Sequence, residues 1–410
     1  MTEDQIDCVA KMSNKFLGIN RRRKTSPNSN LGIFGQNQIK LLPDTNLLSL
    51  EIERNSAENN IPNFLFTFLC CAGLVQVSQK RARQCKTWLF VNFLLILGTV
   101  DFFVVMVTNH IFVYKTTVTL FLTLVLTLVI CFLMRRTRRR MRVLLLKLQY
   151  LPPSTEERIF NVLAPFIFFL QVVSATTITI VCDKKISSTM FAYGNELKSQ
   201  WAQIILIFLK EYSFLFTYQV YPCLIAIVYC TICVRCSNSV RNLTRKIYVC
   251  SPEQFGPSEQ IQVLHYKTKI DEVLKITQEI FSAPSFCLIV SNSISCYSML
   301  GSYLMDTMMM HQLIQASFIG ICSFLYLTGI LWISGTLPVE LNKLRDTFYE
   351  KAYLRCISFG FSSEPNFRRE ILDKREFVFT GCDVLHYRRS SVLAVVGTLI
   401  TYTLLVVNIP

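Results

Sequence analysis

Long stretches of chain with few or no charges constrain this sequence more than any other feature. Residues 119–133 read TLFLTLVLTLVICFL, and comparable segments lie at about 88–112, 116–134, 160–182, 203–234, 281–305, 313–336 and 390–409. A helix needs about twenty mostly apolar residues to cross a hydrocarbon layer of ~30 Å, and each segment supplies that. Backbone amides in lipid must be satisfied inside the segment itself, which forces helices. A membrane barrel would instead need short strands alternating apolar and polar residues, and 119–133 does not alternate usefully. The sequence therefore predicts an all-α integral membrane protein with seven transmembrane helices.

The net charge of +15 resembles that of a nucleic-acid binder until the charges are mapped. Of 42 Lys and Arg residues, 37 fall in four pieces, 1–87, 135–158, 235–280 and 337–389. Basic residues are retained on the cytosolic side during insertion, so this asymmetry predicts a cytosolic N-terminus and an extracellular C-terminus. The densest run, RRTRRRMR from Arg135 to Arg142, abuts the second span and suits anionic lipid headgroups rather than nucleic acid. No signal peptide is read in the polar, basic start of the chain.

Four regions follow. Residues 1–87 form a cytosolic N-terminal region with an apolar segment, 64–77, too short for a comfortable crossing and read as interfacial or re-entrant; a short true span is the rival. Residues 88–336 hold six spans and the expected ligand-binding region. Residues 337–389 form a cytosolic linker with anchor helices, and 390–410 form the last helix. Apolar residues recur at near-helical spacing between Ile261 and Phe281, so the fifth span is expected to begin well inside the cytosol. Residues 339–357 show a similar mixture, and the two helices either flank the membrane or pack together as a cytosolic collar.

Enzyme chemistry finds no support. Four scattered histidines make no local metal site, no glycine-rich phosphate loop is present, and no cofactor is expected. Cys230, Cys233 and Cys236 form a CxxCxxC run at the inner end of the fourth span. It lacks the fourth cysteine of an iron–sulfur motif and reads better as small core residues, or as a lipidation target at Cys236. Most other cysteines lie inside apolar runs, unlike the framework of a disulfide-rich secreted chain.

Ionisable groups within spans are costly and point to function or to an internal partner. Asp101 lies mid-way along the first span, and Lys210 and Glu211 lie in the outer part of the fourth. Adjacent helical residues do not face each other, so Lys210 and Glu211 need different partners. The outer halves of the central spans carry many amide, hydroxyl and aromatic groups. Gln171, Thr176, Trp201, Tyr212, Ser295, Tyr297, Ser298, Gln312 and Gln315 are the candidate ligand contacts for a small-molecule pocket. Helix–helix hydrogen bonding in lipid uses the same residue types.

The chain ends TYTLLVVNIP, from Thr401 to Pro410. This resembles the insect gustatory receptor signature TYhhhhhQF, where h is hydrophobic. Thr401 and Tyr402 match the first pair, and residues 403–407 fill the spacer, with Thr403 a mild departure. Asn408 stands for the family's Gln and Ile409 for its Phe. Phe379 to Gly397 also looks like the family's run into its last helix. The resemblance implies a tastant-gated, non-selective cation channel of four subunits, homomeric or with other gustatory subunits, in the plasma membrane of a sensory neuron. It implies that the last helix lines the pore and that Thr401, Tyr402, Asn408 and Ile409 belong to the pore and gate. The rivals are a seven-helix G-protein-coupled receptor, which predicts the opposite orientation, and a solute transporter, which expects paired broken helices.

Overall fold

The computed structural model describes residues 63–75, 85–108, 114–304, 310–359 and 377–407. Eleven helices occur among them: α1 (Asn63–Cys71), α2 (Cys85–Thr108), α3 (Tyr114–Arg136), α4 (Arg138–Leu148), α5 (Glu157–Val181), α6 (Lys184–Phe191), α7 (Gln200–Leu215), α8 (Tyr221–Val249), α9 (Pro257–Leu304), α10 (Met310–Phe359) and α11 (Arg389–Val407). Five helical runs, 118–136, 157–181, 200–249, 257–301 and 310–358, are long and apolar enough to cross a membrane, and 91–105 and 389–402 are shorter apolar runs. The chain is a multi-pass helical membrane protein.

α8 is the centre. Its sequence is apolar on every side because it is surrounded: Tyr221, Tyr229, Cys233 and Cys236 are all buried. It packs chiefly against α10, with α5 and α9 beside it. The three cysteines of the CxxCxxC run lie in this core, so Cys236 offers no accessible thiol for lipidation; its surroundings are apolar and closed.

The helical run 200–249 is unbroken but not uniform. Phe216–Val220 is a π-turn joining α7 to α8. Pro222, one residue further on, supplies no N–H to the helical ladder, which locally rearranges. The wider turn shifts the helical register, so the faces of α7 and α8 are set separately. α2 crosses close to this point. A side chain at Gly98 would come within 2.9 Å of Thr217 Oγ1, which makes glycine the residue that fits the crossing.

α9 and α10, with 48 and 50 residues, run continuously from the apolar region into the charged end of the bundle. The expected helices at 261–281 and 339–357 are thus extensions of spans; α9 packs against α10, and the turn before α9 is tied to α10, where Phe255 meets Phe348 edge-on at 5.2 Å and Arg355 Nη1 donates to the carbonyl of Glu253 at 2.6 Å. α1 rises only about 14 Å over its nine residues and ends in a turn where Gly73 takes φ 71°. Its Phe64 and Phe68 pack edge-on against Phe168 of α5 and Tyr221 of α8.

Two features were not expected from the sequence. One is α6, in the segment after α5, which Asp183 caps by accepting from the backbone N–H groups of Lys185 and Ile186. The other is a two-residue hairpin, β1 (Thr380–Gly381) with β2 (Leu385–His386), turned by Cys382 and Asp383 at φ 52° and 59°. Gln278 of α9 grips it: the Gln278 Nε2 donates to the Thr380 carbonyl at 2.8 Å, and the Thr380 N–H donates to Gln278 Oε1 at 3.1 Å. Tyr387 is held by Ser285 at 2.7 Å, and a Cβ at Gly381 would strike its hydroxyl. The hairpin thereby fixes the start of α11 against α9.

Candidate functional site

A cavity of about 570 Å³ opens among α2, α3, α5, α6, α7 and α10, at the end of the bundle away from the hairpin. Its apolar wall is made by Phe102 and Val105 of α2, Leu120 of α3, Ile178 of α5 and Phe214 of α7. Phe102 and Phe214 stack with ring centroids 5.3 Å apart. α6 covers the opening with Ile186, Ser187, Met190 and Phe191. A mostly apolar chamber with a few placed polar groups is the usual form of a small-molecule site.

The polar groups fall into two sets. In the first, Asp101 of α2 accepts from Lys210 Nζ of α7 and from the Tyr193 hydroxyl. Lys210 Nζ also donates to the Tyr193 oxygen at 3.0 Å and lies 4.9 Å from the centre of its ring. Tyr193 reaches this place because the chain leaves α6 with φ 57° there and 89° at Gly194. Asp101 thus meets its charge partner, as the cost of an intramembrane carboxylate requires. In the second set, Glu211 is buried and its Oε2 accepts from Gln315 Nε2 of α10 at 3.0 Å. Lys210 and Glu211 do point to different neighbours.

The nine ligand-contact candidates divide as follows. Gln312 and Gln315 lie on the cavity wall. Gln171 is buried and donates to the Tyr212 carbonyl at 2.9 Å, while the Tyr212 ring stacks on Phe208. Ser295 bonds the Tyr218 hydroxyl at 2.7 Å, and Ser298 bonds Thr119 at 2.8 Å. Tyr297 packs edge-on against Tyr402, centroids 4.9 Å apart. Thr176 returns its hydroxyl to the Val172 carbonyl, and Trp201 is exposed. These seven tie helices together or face outward and do not line this cavity. Phe102 and Phe214, which line it, and Tyr193, which meets Asp101 and Lys210, are ordinary apolar or loop residues in the sequence; only the intramembrane Asp101 and Lys210 announced that a partner lay nearby.

Of the pore candidates, Thr401 and Tyr402 lie near the end of α11, and Asn408 and Ile409 lie outside the described residues. α11 is covered on one side by α9 and α10. Ser390, Leu393, Ala394, Gly397, Thr398 and Thr401 are exposed and recur at three- and four-residue steps, forming one continuous stripe. The Thr398 and Thr401 hydroxyls donate to the carbonyls of Ala394 and Gly397, so these hydroxyls are internally satisfied, and the stripe is uncharged and, apart from Leu393, made of small residues. Among the described residues, no cluster of His, Cys, Asp and Glu is placed to hold a metal ion.

No family model matches the sequence, and no curated protein does. Solved structures do. The insect olfactory receptor OR5 from Machilis hrabei aligns over 81% of this chain and 91% of its own, with a TM-score of 0.61 at 12% identity. The chain has the fold of an insect olfactory receptor. The same receptor in complex with eugenol aligns over 88% of this chain and 99% of its own, with a TM-score of 0.56 at 8% identity. The likeness therefore spans nearly the whole of that receptor and is one of fold.

Proposed function

We propose that this chain is a chemosensory receptor and a ligand-gated cation channel, of gustatory type, opened by a small molecule bound in the cavity under α6. The observation that carries this reading is the shared fold with an olfactory receptor, over 91% of that receptor's length. Three features support it. The cavity has the size and lining of a small-molecule site. The exposed stripe of α11, uncharged with spaced hydroxyls, suits the wall of a water-filled path if subunits assemble around it. The TY-spacer-NI ending resembles the gustatory signature, which favours taste over smell and four subunits around one pore. In this reading the basic end faces the cytosol, the N-terminus is inside, and seven helices cross, with α1 a short re-entrant element. Sensory neurons are the natural site, and the protein works by permeation rather than by catalysis.

Cysteines placed singly from Val392 to Tyr402 test the pore. Those at Leu393, Ala394, Gly397, Thr398 and Thr401 are expected to react with water-soluble thiol reagents and alter ligand-evoked current. Those at Val392, Val395 and Leu399, on the covered side, are expected to be silent. Uniformly silent modification would count against α11 as the pore wall and favour a receptor signalling through G proteins.

A further inference from the structure

The charge census of the cavity wall is unbalanced in a specific way. Apart from His311, the ionisable groups are Asp101, Asp183, Lys185, Lys210 and Glu211. Asp101 and Lys210 neutralise each other. Asp183 is engaged in capping α6 at 3.0 and 3.2 Å. Lys185 leans away toward Glu196, 4.0 Å distant on the outside. That leaves Glu211. It is 8% exposed, it faces the cavity, and its hydrogen-bonding partner among the described residues is the neutral amide of Gln315. Lys210 is its sequence neighbour, but its ammonium is bonded to Asp101 and Tyr193.

A carboxylate buried without a cation is costly, and the cost is relieved when a cation joins it. The space beside Glu211 is where such a cation would sit, and the rest of the chamber is mainly apolar, with the rings of Phe102, Phe191 and Phe214 in its lining. Aromatic rings attract a desolvated ammonium further. Resting on the receptor reading above, we propose that the cavity selects organic cations, compounds with an apolar or aromatic body and a protonated nitrogen, and that Glu211 is the group that recognises the nitrogen. Gln315 positions the carboxylate, and Asp101, already paired, contributes no second attraction.

The test uses the full-length protein in detergent and measures binding itself, by isothermal titration, so that it does not depend on channel opening. The probes are primary arylalkylamines of graded size, beginning with 2-phenylethylamine, each matched with the alcohol of the same skeleton. At neutral pH the best amine is expected to bind at least about tenfold more tightly than its alcohol, a charge-assisted contact against a neutral one. In Glu211→Gln, which keeps the shape of the side chain, that ratio is expected to fall to about one while the alcohol's affinity is kept. Glu211→Asp is expected to keep a preference for the amine, which guards against a variant that merely misfolds. Equal binding of amine and alcohol by the wild type, binding of no amine in the series, or an unchanged ratio in Glu211→Gln would each overturn the proposal. Amine binding without any ligand-evoked current would leave it standing and count only against the channel.

Discussion

Two of the ion pairs that join helices among the described residues have sharply different surroundings. Arg235 of α8 and Glu157 of α5 meet in the closed core of the charged end, with side chains 1% and 6% exposed. Lys210 of α7 and Asp101 of α2 meet at the edge of the cavity, with side chains 21% and 20% exposed. The first is buried beside the dense apolar cluster around α8. The second shares its carboxylate with Tyr193, on the segment that leaves the cavity's cover. One end of the bundle is thus built to stay as it is, and the other keeps polar groups within reach of a small molecule. Stability and responsiveness are separated along the length of the same helices.

The largest effect that would test this comparison comes from the closed end. Glu157→Gln removes one charge and leaves the Arg235 guanidinium buried without its counter-ion, at a cost of about 3–5 kcal/mol. The melting temperature in detergent is expected to drop sharply and surface expression to collapse. Replacing both residues, Glu157→Leu with Arg235→Met, is expected to recover most of the loss, because a buried pair can be exchanged for apolar contact. A double variant as unstable as the single would show that the two charges are needed for something besides each other.

A smaller effect on stability is expected at the open end. Asp101→Asn leaves Lys210 unpaired, but solvent in the cavity screens it, so the cost is about 1–2 kcal/mol. Its consequence for function is larger than for folding. The cover loses the Asp101 contact that holds Tyr193, and the ligand dose–response curve is expected to shift while the melting temperature moves modestly. If Asp101→Asn proved as destabilising as Glu157→Gln, the division between a closed and an open end would fail. Trp201→Ala lies at the bottom of the scale. The side chain is 75% exposed on α7, and stability in detergent is expected to stay within about 0.5 kcal/mol of the wild type.

Much of the architecture was legible in the sequence, and the reason is physical. The hydrophobic requirement of a bilayer acts on runs of twenty residues, so the positions of the helices show in the composition of the chain. The continuation of α9 and α10 beyond the apolar region showed in the spacing from Ile261 onward, and the divergence of Lys210 and Glu211 followed from helical geometry alone. The cavity was much less legible. Gln171, Ser295 and Ser298 carry the same groups as Gln312 and Gln315, but whether an amide or hydroxyl faces a cavity or a neighbouring helix depends on rotation of each helix about its axis. That rotation is set by long-range packing, here altered by the π-turn at 216–220 and by the crossing at Gly98. The cover was hidden for another reason: Tyr193 reaches Asp101 through a left-handed backbone turn, which leaves little trace in hydropathy. Phe102 and Phe214 carry no signal at all, since a phenylalanine in an apolar span looks the same whether it meets lipid, protein or ligand.

In the proposed function, binding under α6 opens a path through the same protein, with no intermediary. Current from excised membrane patches, bathed in solutions free of GTP, tests this most directly. With a ligand that activates intact cells, a cation current is expected that starts on application, persists in the isolated patch and is blocked by thiol modification of Thr398→Cys. Loss of the current on excision, with recovery when GTP and cytosol are restored, would contradict it.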